Sequence, residues 1–515
     1  MPDPTTQPRV RRNEWQALAV PATGTWDPTL SVTVVVPAYT AGTLLPTVLA
    51  GLDAQTYPAH LLEVLVVDDG PVRGDLVLPE LRPERTRVVR PDDDGPVGPG
   101  GWGRAHACHL GALAAEGDVL HWLDADMLLE RDQVEAQLRW HHVLDHVVTL
   151  GTKSFVDPAP ALARTPAEVR DGVASGVMPS WWDGLEQTPH TWVEEIFART
   201  DDLRAIGWNA FRTHTGAVAA VSRALYLASG GMDPTLRLGE DIALGGRLAE
   251  VGAVFVPDRE ARSLHLGHTH VMSRAARVND YNEPFLADRV PALHAHRRRG
   301  RSYSAPYLEV VLDSRGEEWS AVAATVDAVL ASTLTDLEVV LVGDWDELVE
   351  ERHAVLDRSV DVRILHETYA ADPRVRLVTE VPPAEGPRRS PWRMTLPGTA
   401  WGPGRAALER VLLHLEHTHD GLRLVHLPDG TVARVERTAA VARAARTRRP
   451  DEPLDAVLAE VAGVGEVAAE EREGARVRFL PAADARPRLH PRFGGPATDD
   501  DEAWRRIDRA LGYRR

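Results

Sequence analysis

Two carboxylates one residue apart, Asp124-Ala125-Asp126, end the apolar run Leu120-His121-Trp122-Leu123, which itself follows Gly117-Asp118. Such a run reads as a buried strand that stops abruptly. Composition alone supplies about ten acid-x-acid triplets in a chain with 76 acidic residues among 515, so placement has to carry the reading. Ligands of open α/β sheets gather at the carboxyl ends of strands, and side chains two apart on an extended strand share a face. Both carboxylates are therefore expected to converge on one hard cation or a diphosphate, the alternative being a solvated turn. Asp68-Asp69-Gly70 ends a second apolar run in acids. Glu240-Asp241 opens a helix, where backbone amides favour negative charge; plain capping is the competing reason for acids there. His265, His268 and His270 offer imidazole to a metal, against a background of 21 histidines.

The elements that position these groups follow from periodicity. Residues 31–37 are an apolar β-branched run closed by Pro37, a buried strand whose end is Pro37-Ala38-Tyr39-Thr40. Leu44, Leu45, Val48, Leu49 and Leu52 then make one helical face, with Pro46 tolerated in the first turn. Residues 62–70 are the second strand, so the unit is β-α-β with parallel strands. Residues 76–89 read as a weaker helix and strand, 91–103 as a loop, and 104–116 as a helix feeding the Asp124 strand. Tyr39, Asp69 and Asp124/Asp126 thus share one rim. That rim has the parts of a mononucleotide site: an aromatic or backbone edge for a base, a carboxylate for an N–H or ribose, and acids for a phosphate-bound metal. Neither G-x-G-x-x-G nor G-x-x-x-x-G-K-[ST] follows the first strand, which argues against a dinucleotide oxidoreductase or a P-loop enzyme. Further along, residues 213–221 read as a small-residue strand, 239–248 as the helix opened by the acidic pair, and 254–257 as another strand.

The totals bound the partners. With 58 basic against 76 acidic residues and a net charge of −18, a bulk nucleic acid or acidic membrane partner is not expected. Lys153 is the single lysine, a bias assigned to coding, with no function read into it. One cysteine, Cys108, excludes an intrachain disulfide framework and fits a reducing compartment. No stretch approaches ~18 continuous apolar residues, and the first 30 residues lack an apolar core of signal-peptide length. A cytoplasmic protein of two or three domains is expected.

Taken together and in order, Val35-Val36-Pro37-Ala38-Tyr39, Gln55-Thr56-Tyr57-Pro58, Val66-Val67-Asp68-Asp69-Gly70, Leu123-Asp124-Ala125-Asp126, Gly230-Gly231-Met232-Asp233 and Gly239-Glu240-Asp241 resemble a family 2 glycosyltransferase over residues 31–270. The resemblance implies the GT-A fold, a Rossmann-like, mostly parallel nucleotide-binding α/β sheet. It also implies that Pro37, Ala38 and Tyr39 border the nucleobase, that Asp69 hydrogen-bonds it, and that Arg104 faces the nucleotide where many relatives have Lys. His109 stands in place of the usual Asn. By the same resemblance Asp124 touches the ribose beside Ala125, Asp126 ligates Mn²⁺ or Mg²⁺, and Asp241, paired with Glu240, is the general base. His265 closes the metal site, with His268 its rival. The implied partners are a nucleotide-sugar donor, with UDP favoured, and a hydroxyl acceptor. The implied reaction is single displacement with inversion.

From residue 306 the pattern restarts after the basic linker Arg297-Arg298-Arg299-Gly300-Arg301. Leu337-Glu338-Val339-Val340-Leu341-Val342-Gly343-Asp344 echoes residues 62–69. Gly404-Arg405-Ala406 is aligned with Gly103-Arg104-Ala105, and residues 424–430, ending Pro428-Asp429-Gly430, with residues 120–126. An internal duplication that has lost its chemistry is expected. The expected division is an arm over 1–30, the catalytic domain over 31–300, a degenerate α/β copy over 301–480 and a tail over 481–515. The arm and linker are candidate homodimer contacts. Two other readings compete: a non-catalytic sugar-nucleotide scaffold, and a sugar nucleotidyltransferase, which would want a Gly-rich basic loop after the first strand. No Q-x-x-R-W motif points to processive synthesis. Trp181, Trp182, Trp192 and Trp208 could stack on sugars or pack in the core.

Overall fold

The computed structural model describes residues 6–39, 43–70, 76–91, 101–268, 274–348, 358–383, 390–472 and 477–485. His270 and the stretch around Trp504 lie outside them. The first sheet contains β1 (Val32–Ala38), β2 (Leu62–Asp68), β3 (Thr86–Val89), β4 (Val119–Trp122), β5 (Met127–Leu129), β6 (Val147–Val156), β7 (Gln187–Pro189), β8 (Ala219–Ser222) and β9 (Val254–Leu266). Their order is β3-β2-β1-β4-β8-β6-β9-β5, with β7 on β6. In the parallel block β3-β2-β1-β4 the inner strands are buried on both faces, which is why β1 and β2 are Val/Leu-rich runs, while the edge strand β3 is partly exposed. Helix Leu45–Asp53 connects β1 to β2, the expected crossover.

Three local expectations change. No helix forms over the described residues 76–85 that lead into β3, where Pro79 and Pro83 lack an amide to donate. Residues 213–218 are not strand, because Thr213 ends a short 3-10 turn, Ala210–Thr213, and β8 begins only at Ala219. The strand at Val254 continues through His265 to Leu266.

The second sheet contains β10 (Leu308–Asp313), β11 (Leu337–Val342), β12 (Val375–Val378), β13 (Trp392–Thr395), β15 (Leu422–His426), β16 (Val432–Arg437) and β17 (Val464–Ala468), while β14 (Trp401–Pro403) and β18 (Phe479–Pro481) pair separately. Its order, β12-β11-β10-β13-β16-β15-β17, repeats β3-β2-β1-β4-β8-β6-β9 strand for strand. The directions repeat as well, parallel through β13, antiparallel at β13–β16 and β16–β15, then parallel at β15–β17. Register corrects the alignment read from sequence. Val32 pairs with Val119 in the first sheet and Leu308 with Trp392 in the second, so Pro397-Gly398-Thr399 stands where Asp124-Ala125-Asp126 stands. Residues 422–426 are instead the counterpart of β6, and Pro428-Asp429-Gly430 is the β15–β16 hairpin turn. Likewise Arg405 precedes helix Ala407–Thr418, which lies after β13 and so cannot match the Arg104 helix, which lies before β4. A parallel sheet keeps its pattern through its apolar strands, so short motif echoes can align out of step.

The N-terminal segment is not a free arm. Val10 is buried against Trp140, Leu144, Val254 and Val256, Arg12 N–H donates to Val461 O at 2.7 Å, and Asn13 bonds the backbone of Leu203 and Phe255. It ties the two sheets together, helped by Trp208, which packs on Leu422, Ala440, Val441 and Leu458. Arg443, fully buried on helix Thr438–Thr447, donates to Gly252 O at 2.9 Å and Ala253 O at 2.5 Å. It has no carboxylate partner among these contacts, so burial lowers its pKa to about 9. These carbonyls follow the end of helix Glu240–Glu250, so the second half caps the helix that carries the acidic pair. In the linker, Arg297 is pinned to Asp336 at 2.8 Å and to the Ala287 carbonyl. No helix among the described residues is long and apolar enough to cross a membrane.

Candidate functional site

Three strand ends bring Tyr39, Asp69 and Asp124/Asp126 to one rim, and the two acids of Asp124-Ala125-Asp126 take different partners. β4 ends at Trp122, and Met127 N–H donates to Asp124 O at 3.1 Å, so this stretch is a turn rather than an extended strand. Asp124 accepts from Arg104 Nε at 2.7 Å, while Asp126 faces His265, with Nε2 at 3.6 Å from Oδ1.

Arg104 is the hub. It lies in the first turn of helix Arg104–Ala114, whose preceding residue, Gly103, is held by Asp69: both carboxylate oxygens of Asp69 accept from Gly103 N–H, at 2.9 and 3.0 Å. Arg104 Nη1 donates to Glu240 at 3.0 Å and Asp241 at 2.7 Å. Burial works against this guanidinium, yet Asp124 and Asp241 hold its pKa well above the ordinary arginine value. Gly239, at φ +80° in a region open to glycine, starts the helix that projects Glu240 and Asp241. Gly216 sits so close that a Cβ would lie 2.1 Å from Asp241 Oδ1. Its N–H bonds the same carboxylate, so any side chain there would push aside the ends of Asp241 and Arg104. His214 Nδ1 lies 2.8 Å from Asp241 O.

The two acids of the pair separate electrostatically. Burial would raise Asp241, but Arg104 and then His214 overcome that and hold it below the usual carboxylate range. Burial and then the charge of Asp241 push Glu240 up to about 7. Glu240 therefore keeps its proton in the fold between roughly pH 4.5 and 7. Its cost to stability is absent at low pH and complete above pH 7. A Glu240→Gln protein is expected to gain on the order of 2 kcal/mol on wild type between pH 4.5 and pH 8, as measured by urea unfolding; a pH-independent difference would contradict the assignment.

The remaining expected residues fall as follows. Pro37 and Ala38 end β1, with Ala38 buried so that only its backbone reaches the rim, while Tyr39 is 61 % exposed. Ala125 is partly buried in the turn. Of the two histidines, His265 is brought to Asp126, whereas His268 is exposed and stacked over Phe155. His109 turns away to Tyr226 Oη at 2.7 Å, which also accepts Met232 N–H and so fixes the Gly230-Gly231-Met232-Asp233 turn. Trp182 and Trp208 are core, while Trp192 is 43 % exposed beside His190. Lys153 is the site residue that sequence reading passed over. Burial lowers its pKa in the field of Asp124, Asp241 and Asp126, and its one signal was being the single lysine among 58 basic residues.

No group of three or more His, Cys, Asp or Glu side chains gathers as a metal site among the described residues. The donor chemistry of Asp126 and His265 nevertheless suits a cation. His265 Nδ1 donates to Gly267 O at 2.9 Å, which leaves Nε2 facing Asp126. Asp126 Oδ1 is buried without a hydrogen-bond partner, and burial raises its pKa. A neutral imidazole nitrogen beside a carboxylate is a donor pair that hard and borderline cations accept.

Comparison with known proteins follows these residues. No curated protein sequence matches the chain. Among solved structures, it is similar to a mannosyltransferase from Pyrobaculum calidifontis in complex with GDP-Man and Mn²⁺, at 18% identity and a TM-score of 0.33, covering 54% of this chain and 69% of that one. It is also similar to S. aureus TarS 1–349 in complex with UDP-GlcNAc, at 16% identity and a TM-score of 0.31, covering 47% of this chain and 59% of that one, and to a second crystal structure of TarS 1–349, at 16% identity and a TM-score of 0.34, covering 52% and 64%. Residues 33–168 match the family model for glycosyl transferase family 2. That span holds Pro37, Asp69, Arg104, Asp124 and Asp126 and ends before Glu240, Asp241 and His265. The glycosyl transferase family 2 match thus covers the parallel strands and the acidic turn of the first sheet, residues 33–168.

Proposed function

We propose that the chain is a cytoplasmic, metal-dependent, inverting glycosyltransferase that moves a sugar from a nucleoside diphosphate donor, a UDP-sugar first, to an acceptor hydroxyl. The observation that carries this reading is the division of labour across the turn at Asp124-Ala125-Asp126. Asp126 is next to His265, while Arg104 gathers Asp124, Glu240 and Asp241. Asp126 and His265 would hold Mn²⁺ or Mg²⁺, which when bound neutralises charge on the diphosphate. Asp241 is the general base of the acidic pair. Its side chain is 26% accessible against 8% for Glu240, so the acceptor hydroxyl reaches Asp241, and Glu240 stays behind it. Asp241 takes the hydroxyl proton as the acceptor oxygen bonds the anomeric carbon from the face opposite the breaking bond to the diphosphate, which inverts that carbon. Tyr39 and Asp69 belong to the base end of the same rim.

The second sheet is proposed as a duplicate of the first that no longer performs chemistry. The repeated strand order supports duplication, and Pro397-Gly398-Thr399 in place of the acidic turn removes the metal acids. Its role is support, through Arg443 at the end of the catalytic helix.

Calorimetric titration of UDP and of GDP, with Mn²⁺ and with EDTA, tests the donor site. GDP belongs in the pair because the similar structures hold both kinds of donor. One nucleotide is expected to bind with Mn²⁺ and to lose at least about tenfold in affinity in EDTA or in Asp126→Ala. Binding indifferent to both changes would remove the metal site.

A further inference from the structure

We propose that the Lys153 ammonium binds the β-phosphate of the nucleotide-sugar donor and steadies the departing nucleoside diphosphate. This rests on the donor-site reading above. The backbone delivers Lys153 to the site by a break in register. β6 pairs with β8 through Val148–Leu150, and then its pairing with β9 jumps from Gly151↔Asp258 to Thr152↔Arg262. The excess residues on β9 form a bulge, and such bulges re-aim the side chains that follow. After it, Lys153 pairs with Ser263 and Phe155 with His265, so Lys153 lies on the strand beside the one that carries the metal-facing histidine.

Its electrostatic neighbours are Asp124, Asp241, Arg104 and Asp126, in that order. It therefore lies in the field of both the acidic turn and Asp241, the groups that flank the β-phosphate oxygen in the donor-site reading. Arg104 cannot serve that oxygen readily, since it already bonds Asp124, Glu240 and Asp241. Lys153 is partly buried, and among the described residues no carboxylate forms an ion pair with it. A desolvated ammonium left unpaired is costly, and an anion supplied by the substrate removes that cost. The single lysine among 58 basic residues thus stands where a compact point charge, rather than the planar guanidinium fork, fits between three carboxylates.

The test is calorimetric titration, with Mn²⁺, of the diphosphate that wild type binds (UDP or GDP) and of the matching monophosphate, into wild type, Lys153→Met and Lys153→Arg. Methionine keeps the apolar stem and removes the charge. The diphosphate is expected to weaken about 10- to 100-fold in Lys153→Met while the monophosphate holds its affinity. Lys153→Arg is expected to recover part of the loss. Equal losses for both nucleotides would make Lys153 merely structural, and unchanged diphosphate binding would also overturn the proposal; in both cases the donor site itself stands. Wild type that binds neither diphosphate would overturn the donor-site reading and this proposal together.

Discussion

An Asp241→Asn protein is expected to lose about 10²- to 10⁴-fold in kcat, the usual contribution of a positioned general base, with its fold intact. Asparagine is nearly isosteric, so the crowding at Gly216 and the helix start at Gly239 persist. Donor binding should change little, because Asp126 and His265 lie across the turn and do not touch Asp241. The measurement is a steady-state assay with the donor found by titration, alongside that same titration on the variant. A kcat loss with retained nucleotide affinity places Asp241 in the chemical step. Turnover at the wild-type rate would end its assignment as base, and Glu240, with its pKa at about 7, would be examined next.

Arg104→Met should be the most destabilising single change in the site, at about 3 kcal/mol. Three carboxylates, Asp124, Glu240 and Asp241, would then face one another with the shared cation gone. The loss should be greatest near pH 8, where all three are ionised, and should shrink toward pH 5 as the crowded acids take up protons. Asp241, no longer held down by Arg104, would rise in pKa, so the acid limb of the activity profile should move to higher pH. Denaturant unfolding at both pH values checks the first part and a pH–rate profile the second. A variant as stable as wild type at pH 8 would mean that Arg104 does not hold the acids together.

Repeated motif echoes misled where repeated topology did not. Residues 424–430 look like residues 120–126 because both are apolar runs ending near an Asp, yet hydrogen-bond register makes β13 the true counterpart of β4. Any buried parallel strand shows that pattern, so it cannot choose between neighbours in the same sheet. The same weakness explains residues 213–218, whose small apolar residues line the approach to Asp241 instead of extending β8.

The sequence by itself determined the class of fold, the order of its first strands, the rim on which Tyr39, Asp69, Asp124 and Asp126 lie, and the helix opened by Glu240-Asp241. Each is written in short-range periodicity or in an abrupt change from apolar to acidic residues. Only the tertiary structure decided which groups meet. It sent Asp124 to Arg104 and Asp126 to His265, left His268 exposed, brought Lys153 in after a bulge, and turned the N-terminal segment into a tie between the sheets. Those outcomes depend on turns, register shifts and charge pairing between residues from twenty to well over a hundred positions apart, none of which leaves a local period to read.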